Sequence, residues 1–112
     1  EDLPVSDYRA HDPRYQGANY EANLRAVEVV KAVAARHGAS PAQVALAWLL
    51  HQGPDVIPIP GSKRRLTLLD NARAPFLTLD AADMMALNAA LPPGTTAGER
   101  YGSKAALAML DR

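Results

Sequence analysis

One run of residues constrains what this chain can fold into: Asp55-Val56-Ile57-Pro58-Ile59-Pro60-Gly61-Ser62-Lys63-Arg64-Arg65, the single strand-like segment in a chain otherwise patterned for helices. A short apolar run with β-branched residues reads as a buried strand. Gly61 then reads as a turn, and Leu66, Leu68 and Leu69 follow at spacings that suit a helix over roughly 64–73. One strand cannot make a sheet, because its backbone donors and acceptors need a ladder partner. The chain is therefore expected to be incomplete as a folding unit. Its strand must pair with another chain or with a further part of the same protein. Pro58 donates no ladder bond, which fits a place near the strand's C-terminal end.

Lys63, Arg64 and Arg65 fall at or just before the start of the following helix. That end of a helix carries partial positive charge and orphan N–H groups, so uncompensated cations there cost about 0.3–1 kcal/mol each. Strand, glycine, hydroxyl, cations and helix start are the ingredients of a phosphate site, in which a bound anion supplies the compensation. Basic triplets on loops are also commonly plain solvated surface, and both readings stand on local pattern alone. Neither a Walker loop nor a G-x-G-x-x-G fingerprint is present.

The chain of 112 residues is 48% hydrophobic and 21% charged, a globular composition with enough length for one core. Twelve basic residues balance twelve acidic ones, so no global field favours nucleic acid or an anionic membrane. The absence of cysteine rules out disulfides and thiolate metal sites and fits a reducing compartment without proving it; the expected location is the cytoplasm. The longest apolar run, Val44 to Leu50, is too short to span a bilayer, and no signal peptide is visible. The opening Glu1-Asp2-Leu3-Pro4, without Met, reads as the middle of something longer.

Residues 1–19, broken by Pro4, Pro13 and Gly17, read as a long loop. A helix is expected from Ala18 or Asn19 to His37, with Tyr20, Leu24, Val27, Val30 and Ala34 as its apolar stripe and Glu21 pairing with Arg25 outside. Gly38 is placed to end it as a C′ residue. Ser40-Pro41-Ala42-Gln43 predicts a capping box opening a helix to about Gln52, apolar on nearly every side and so expected to lie between layers. Thr78 or Asp80 caps a further helix over Ala81 to Leu91, and Ser103 caps a short last one. No histidine pair has metal-ligand spacing; His37 and His51 read as packed or capping residues.

Four separated segments carry a family resemblance: Ser40-Pro41-Ala42-Gln43-Val44-Ala45-Leu46-Ala47-Trp48-Leu49-Leu50, Val56 to Arg65, Leu68-Leu69-Asp70-Asn71, and Ala97-Gly98-Glu99-Arg100-Tyr101. In this order they resemble the C-terminal part of an aldo-keto reductase of the bacterial and plant type. The resemblance implies an α/β fold, the C-terminal portion of a (β/α)8 TIM barrel. It would be mostly helical, with one barrel strand at Val56–Pro60, and incomplete on its own. Residues 1–19 would be a loop, 20–91 the last barrel helices, strand and nucleotide-binding segment, and 92–112 a C-terminal tail. The implied cofactor is NADP(H). Carried over by position, Gly61, Ser62, Lys63 and Arg64 would hold the adenosine 2′-phosphate, and Asp70 and Asn71 would reach the adenine edge. Thr67 stands where the family carries a further cofactor contact, and Asp70 replaces a usual Glu. Phosphate sites after the last strands are a general habit of such barrels.

The family's tetrad of Asp, Tyr, Lys and His lies on earlier strands, so no residue here is assigned a catalytic role. Two functions follow. In one, the chain is the NADP-binding portion of a reductase that passes hydride to a small aldehyde or ketone, active only when complete. In the other, it is a truncated, non-catalytic nucleotide-binding or regulatory module. Its partners would be the remainder of the barrel or copies of itself, with residues 1–19 and 92–112 lining the substrate pocket.

Overall fold

The structure is a computed structural model and describes Pro4 and residues 6–110. The outermost parts of the expected terminal loop and tail, including Val5, lie outside the described residues. The chain divides into two compact units, Glu1–Ala26 with Leu91–Arg112, and Val27–Ala90.

The Val27–Ala90 unit holds the core. Helix α1, Gly17–His37, ends in this unit, followed by α2, Pro41–Leu50, α3, Arg65–Ala72, and α4, Ala81–Ala90. Each boundary has a local cause. Gly38, at φ +58°, is the left-handed residue that ends α1. Its N–H reaches Ala35 O (3.4 Å), and the next N–H, from Ala39, reaches Ala34 O (3.0 Å). That paired pattern satisfies two of the last helical carbonyls. At α2 the expected box is present in full: Gln43 N–H donates to Ser40 Oγ (3.1 Å) and Ser40 N–H to Gln43 Oε1 (3.2 Å). At α4 the cap is Asp80, whose Oδ1 accepts from Asp83 N–H (2.8 Å), while Asp83 Oδ2 accepts from Asp80 N–H (3.2 Å).

Val30, Val33 and Ala34 of α1, Val44 and Ala47 of α2, Ala74, Leu79, and Leu87 of α4 form the buried apolar set. Helix α2 packs on α3 and on the 3₁₀ turn Ala74–Phe76 that follows it. Trp48 Nε1 donates to Asn88 Oδ1 on α4 (2.7 Å). His51 Nδ1 lies 2.7 Å from Ala47 O, the capping place expected for it.

Three expectations need correction. No strand forms over Val56–Pro60: among the described residues there is no strand at all, and Ile57 and Ile59 stand 81% and 93% exposed. The reason is the one that made the segment unusual, since no segment among the described residues offers it a ladder partner. The alternation survives, with Val56 and Pro58 half-buried against the exposed isoleucines. Secondly, α2 is covered on one side only. Gln43, Val44 and Ala47 are buried while Leu50 is exposed, because the Val27–Ala90 unit supplies no second layer over that side. Thirdly, the N-terminal half of the α1 stripe is not buried. Tyr20 and Val27 are exposed, and the outer ion pair joins Lys31 to Glu28 (2.8 Å), not Arg25 to Glu21.

The other unit has no buried residue among those described. Its expected loop contains two 3₁₀ turns, Tyr8–His11 and Pro13–Tyr15, each opened by an aspartate. Asp7 Oδ1 and Asp12 Oδ1 accept from Arg9 and Arg14 N–H, both at 3.0 Å. Helix α5, Lys104–Leu107, is capped by Ser103 as expected.

Candidate functional site

Arg64 is the N-cap of α3, which puts Lys63 one residue before the cap and Arg65 at the first helical position. The cap has no side-chain hydrogen bond, and the first turn contains no acidic residue. Lys63, Arg64 and Arg65 are all exposed, and among the described residues none has an ion-pair partner. Three cations thus surround a helix end whose own N–H groups are uncapped, which is an arrangement that an anion would relieve.

Ser62 is held beside them, because Asn71 Nδ2 donates to its Oγ (2.9 Å). This bond spans α3 from its seventh residue back to the loop, and so ties two of the expected site residues together. Gly61 is exposed, takes no left-handed φ and has no neighbour within 4 Å of where a Cβ would stand. Thr67 is exposed in the first turns of α3. Gly61, Ser62, Lys63, Arg64 and Asn71 therefore form one cluster, with Thr67 on the adjoining helix surface.

Asp70 has a different set of partners. Its Oδ2 accepts from Ser40 Oγ (2.6 Å) and its Oδ1 from Gln43 Nε2 (2.8 Å), while its backbone carbonyl takes a second bond from Gln43 Nε2 (3.1 Å). The carboxylate sits at the N-terminus of α2, where the helix dipole favours it. Gln43, 9% exposed, thus completes the α2 capping box with its carbonyl and clamps α3 with its amide. Sequence reasoning found the box but not the clamp, since nothing in a pattern says which face of α3 meets α2. A groove of about 410 Å³ opens beside this junction, lined by His37, Ser40, Gln43, Asp70, Arg73 and Phe76 among others.

A second polar cluster also escaped the sequence reading. Asp83, 1% exposed, accepts from Arg36 Nη2 and lies 2.6 Å from His37 Nε2, so its carboxylate joins the end of α1 to the start of α4. The Arg36 guanidinium, with help from His37 and the Asp80 N–H, holds the Asp83 carboxyl down at about 2 against the opposing cost of burial. The spacing Asp80-x-x-Asp83 was the available signal, as a capping-box pattern with a shorter acid. Arg36 and His37 in the last turn of α1 gave no hint of their partner. Among the described residues no group of acidic or histidine side chains could hold a metal ion, and no helix is long and apolar enough to cross a membrane.

Comparison with known proteins bears on the family of the chain. The model of the aldo/keto reductase family matches residues 2–92. A Glycine max protein named "Probable aldo-keto reductase 1" is 41% identical over 102 residues, covering 90% of this chain and 29% of its own length. A Schizosaccharomyces pombe protein named "Aldo-keto reductase yakc [NADP(+)]" is 38% identical over 101 residues, covering 90% of this chain and 30% of its own length. The chain thus spans about 30% of the length of these curated relatives. No solved structure matches it. With the family pattern running through α1 to α4 and both relatives aligned over nearly the whole chain, the protein belongs to the aldo/keto reductase family.

Proposed function

We propose that this chain is the C-terminal, NADP(H)-holding portion of a carbonyl-reducing (β/α)8 enzyme. The observation that carries this reading is the uncompensated cation group at the α3 N-terminus, three exposed basic residues around an uncapped helix end with Ser62 fixed among them by Asn71. A dianionic 2′-phosphate supplies the missing charge, accepting from Lys63 and Arg64, from Ser62 Oγ–H and from the first free N–H groups of α3. The name of the fission-yeast relative, which includes NADP(+), supports the same cofactor. Asn71 orients Ser62, and Thr67 lies on the helix surface beside the phosphate. Asp70 acts chiefly by locking α3 against α2, which fixes the direction in which the helix N-terminus points; only its remaining lone pairs are free for an adenine amino group.

The bound cofactor would supply hydride to an aldehyde or ketone carbon. The residues described here bind and orient the far end of that cofactor. In this reading Val56–Pro60 becomes the last barrel strand once a neighbouring strand is present, and residues 1–19 and 92–112 border the carbonyl pocket. The enzyme would work in the cytoplasm.

The isolated 112-residue chain is expected to consume no NADPH with a broad aldehyde panel, because among the described residues no proton donor is placed with Lys and Asp partners for carbonyl chemistry. Turnover above a no-protein control would overturn that expectation. The phosphate site itself is tested in the complete reductase by competition. Adenosine 2′,5′-bisphosphate should displace NADPH at least tenfold more effectively than adenosine 5′-monophosphate, since one additional dianion meets two cations. Equal potency of the two nucleotides would remove the 2′-phosphate from this site.

A further inference from the structure

The unit formed by the two ends of the chain has no buried residue among those described, yet its loop at 94–102 is held in a defined place. What holds it is a small set of polar bonds centred on Asn23 of α1. Asn23 Nδ2 donates to Ala97 O (3.0 Å), and Ala97 N–H donates back to Asn23 Oδ1 (2.8 Å), so one side-chain amide grips both peptide groups of a residue 74 positions away. The other N–H of the same amide donates to Arg14 O (3.1 Å). Arg14 in turn sends its Nε to Gly98 O (3.2 Å), and Asn19 Nδ2 donates to Pro13 O (3.1 Å).

Gly98 closes the ring of contacts. Its φ of +88° belongs to the left-handed region, and a Cβ there would stand 2.9 Å from Asn19 Nδ2 and 3.0 Å from Pro13 O. Both the backbone conformation and the close approach to the 13–19 segment require glycine. Beyond it the loop carries Arg100 and Tyr101, both exposed, with the guanidinium 5.9 Å from the ring centroid.

We propose that residues 94–102 are a strap and that Asn23 is its latch. A loop seated on apolar burial cannot lift without exposing that surface, whereas a loop seated on one amide and one guanidinium lifts when those few bonds exchange for water. The bonds that hold it all lie within the unit of the two chain ends. The latch stands independently of the proposed function. Its bearing on carbonyl access rests on that reading, in which the strap borders the pocket.

The test uses the full chain without cofactor or substrate, so its failure is distinct from a failure of the reductase reading. Asn23→Ala should raise the exchange rate of the Ala97 amide and the rate of tryptic cleavage after Arg100, each by roughly tenfold to a hundredfold. Asn23→Asp keeps the shape and an acceptor for Ala97 N–H but loses both donated bonds and sets a negative charge against two carbonyl oxygens; it too should accelerate cleavage after Arg100. Gly98→Ala should do the same from the other side of the contact. In all three, the emission of Trp48, the chain's one tryptophan and a residue of the other unit, should stay at its wild-type wavelength. Wild-type exchange and cleavage in Asn23→Ala would overturn the latch. So would loosening that always came with a red-shifted Trp48, because the loop would then open only when the whole chain unfolds.

Discussion

Replacing Lys63 and Arg64 together with alanine should weaken NADPH binding by the complete reductase by roughly two to four decades and leave NADH binding nearly unchanged. The magnitude follows from two charge-assisted contacts at about 1.5–3 kcal/mol each. Both side chains are exposed, so the effect should sit toward the lower end and shrink as salt rises. The selectivity follows from placement. Lys63 and Arg64 flank the uncapped start of α3, with no carboxylate among the described residues to neutralise them. NADP(H) carries a 2′-phosphate and NAD(H) does not, so only the former loses its partners. Fluorescence titration of both cofactors on wild type and double variant measures this directly. An equal loss for the two would put the cations on the pyrophosphate, or on the fold, and the 2′-phosphate assignment would fail.

The parts of this fold that were legible in the sequence are those decided within a few residues. Gly38, Ser40 with Gln43, and Ser103 each act on N–H or C=O groups three to five positions away, and each stands where its pattern placed it. The cations at the α3 start were legible for the same reason. What the sequence concealed is pairing over distance. Val56–Pro60 has strand composition but strand formation is a property of two segments, and the described residues hold no second one. The resemblance gave Asp70 an adenine contact by position, but said nothing of its hydrogen-bond partners Ser40 and Gln43, which lie 30 and 27 residues away. Asn23 stands in no motif, and its partner Ala97 lies 74 residues further on. Even the reductase resemblance could not supply these, since it names roles for positions and not the contacts that hold them.

Asp83→Ala should destabilise the Val27–Ala90 unit by about 2–3 kcal/mol, lowering its melting temperature by roughly 10–20 °C. The carboxylate is 1% exposed and does three things at once: it pairs with Arg36, meets His37 Nε2 at 2.6 Å, and accepts the Asp80 N–H at the start of α4. Truncation strips the α4 box and unties α1 from α4. The loss stays below the usual cost of breaking a fully buried pair because the Arg36 side chain is 55% exposed and returns to water. The pH dependence has a fixed sign. The carboxyl titrates at about 2 in the fold against an ordinary 3.8, so the folded state holds its proton less tightly than the unfolded chain. The stabilisation is therefore complete above about pH 4 and disappears as pH falls toward 2, a change of roughly 2 kcal/mol from this one group. Asp83→Asn removes the titration while keeping the shape. Urea melts followed by Trp48 emission at pH 6, 4 and 2.5 should show wild type converging on Asp83→Asn as the pH drops. A constant gap between the two across that range would mean that the Asp83 charge does not hold α1 to α4, and that the α4 cap alone accounts for the effect.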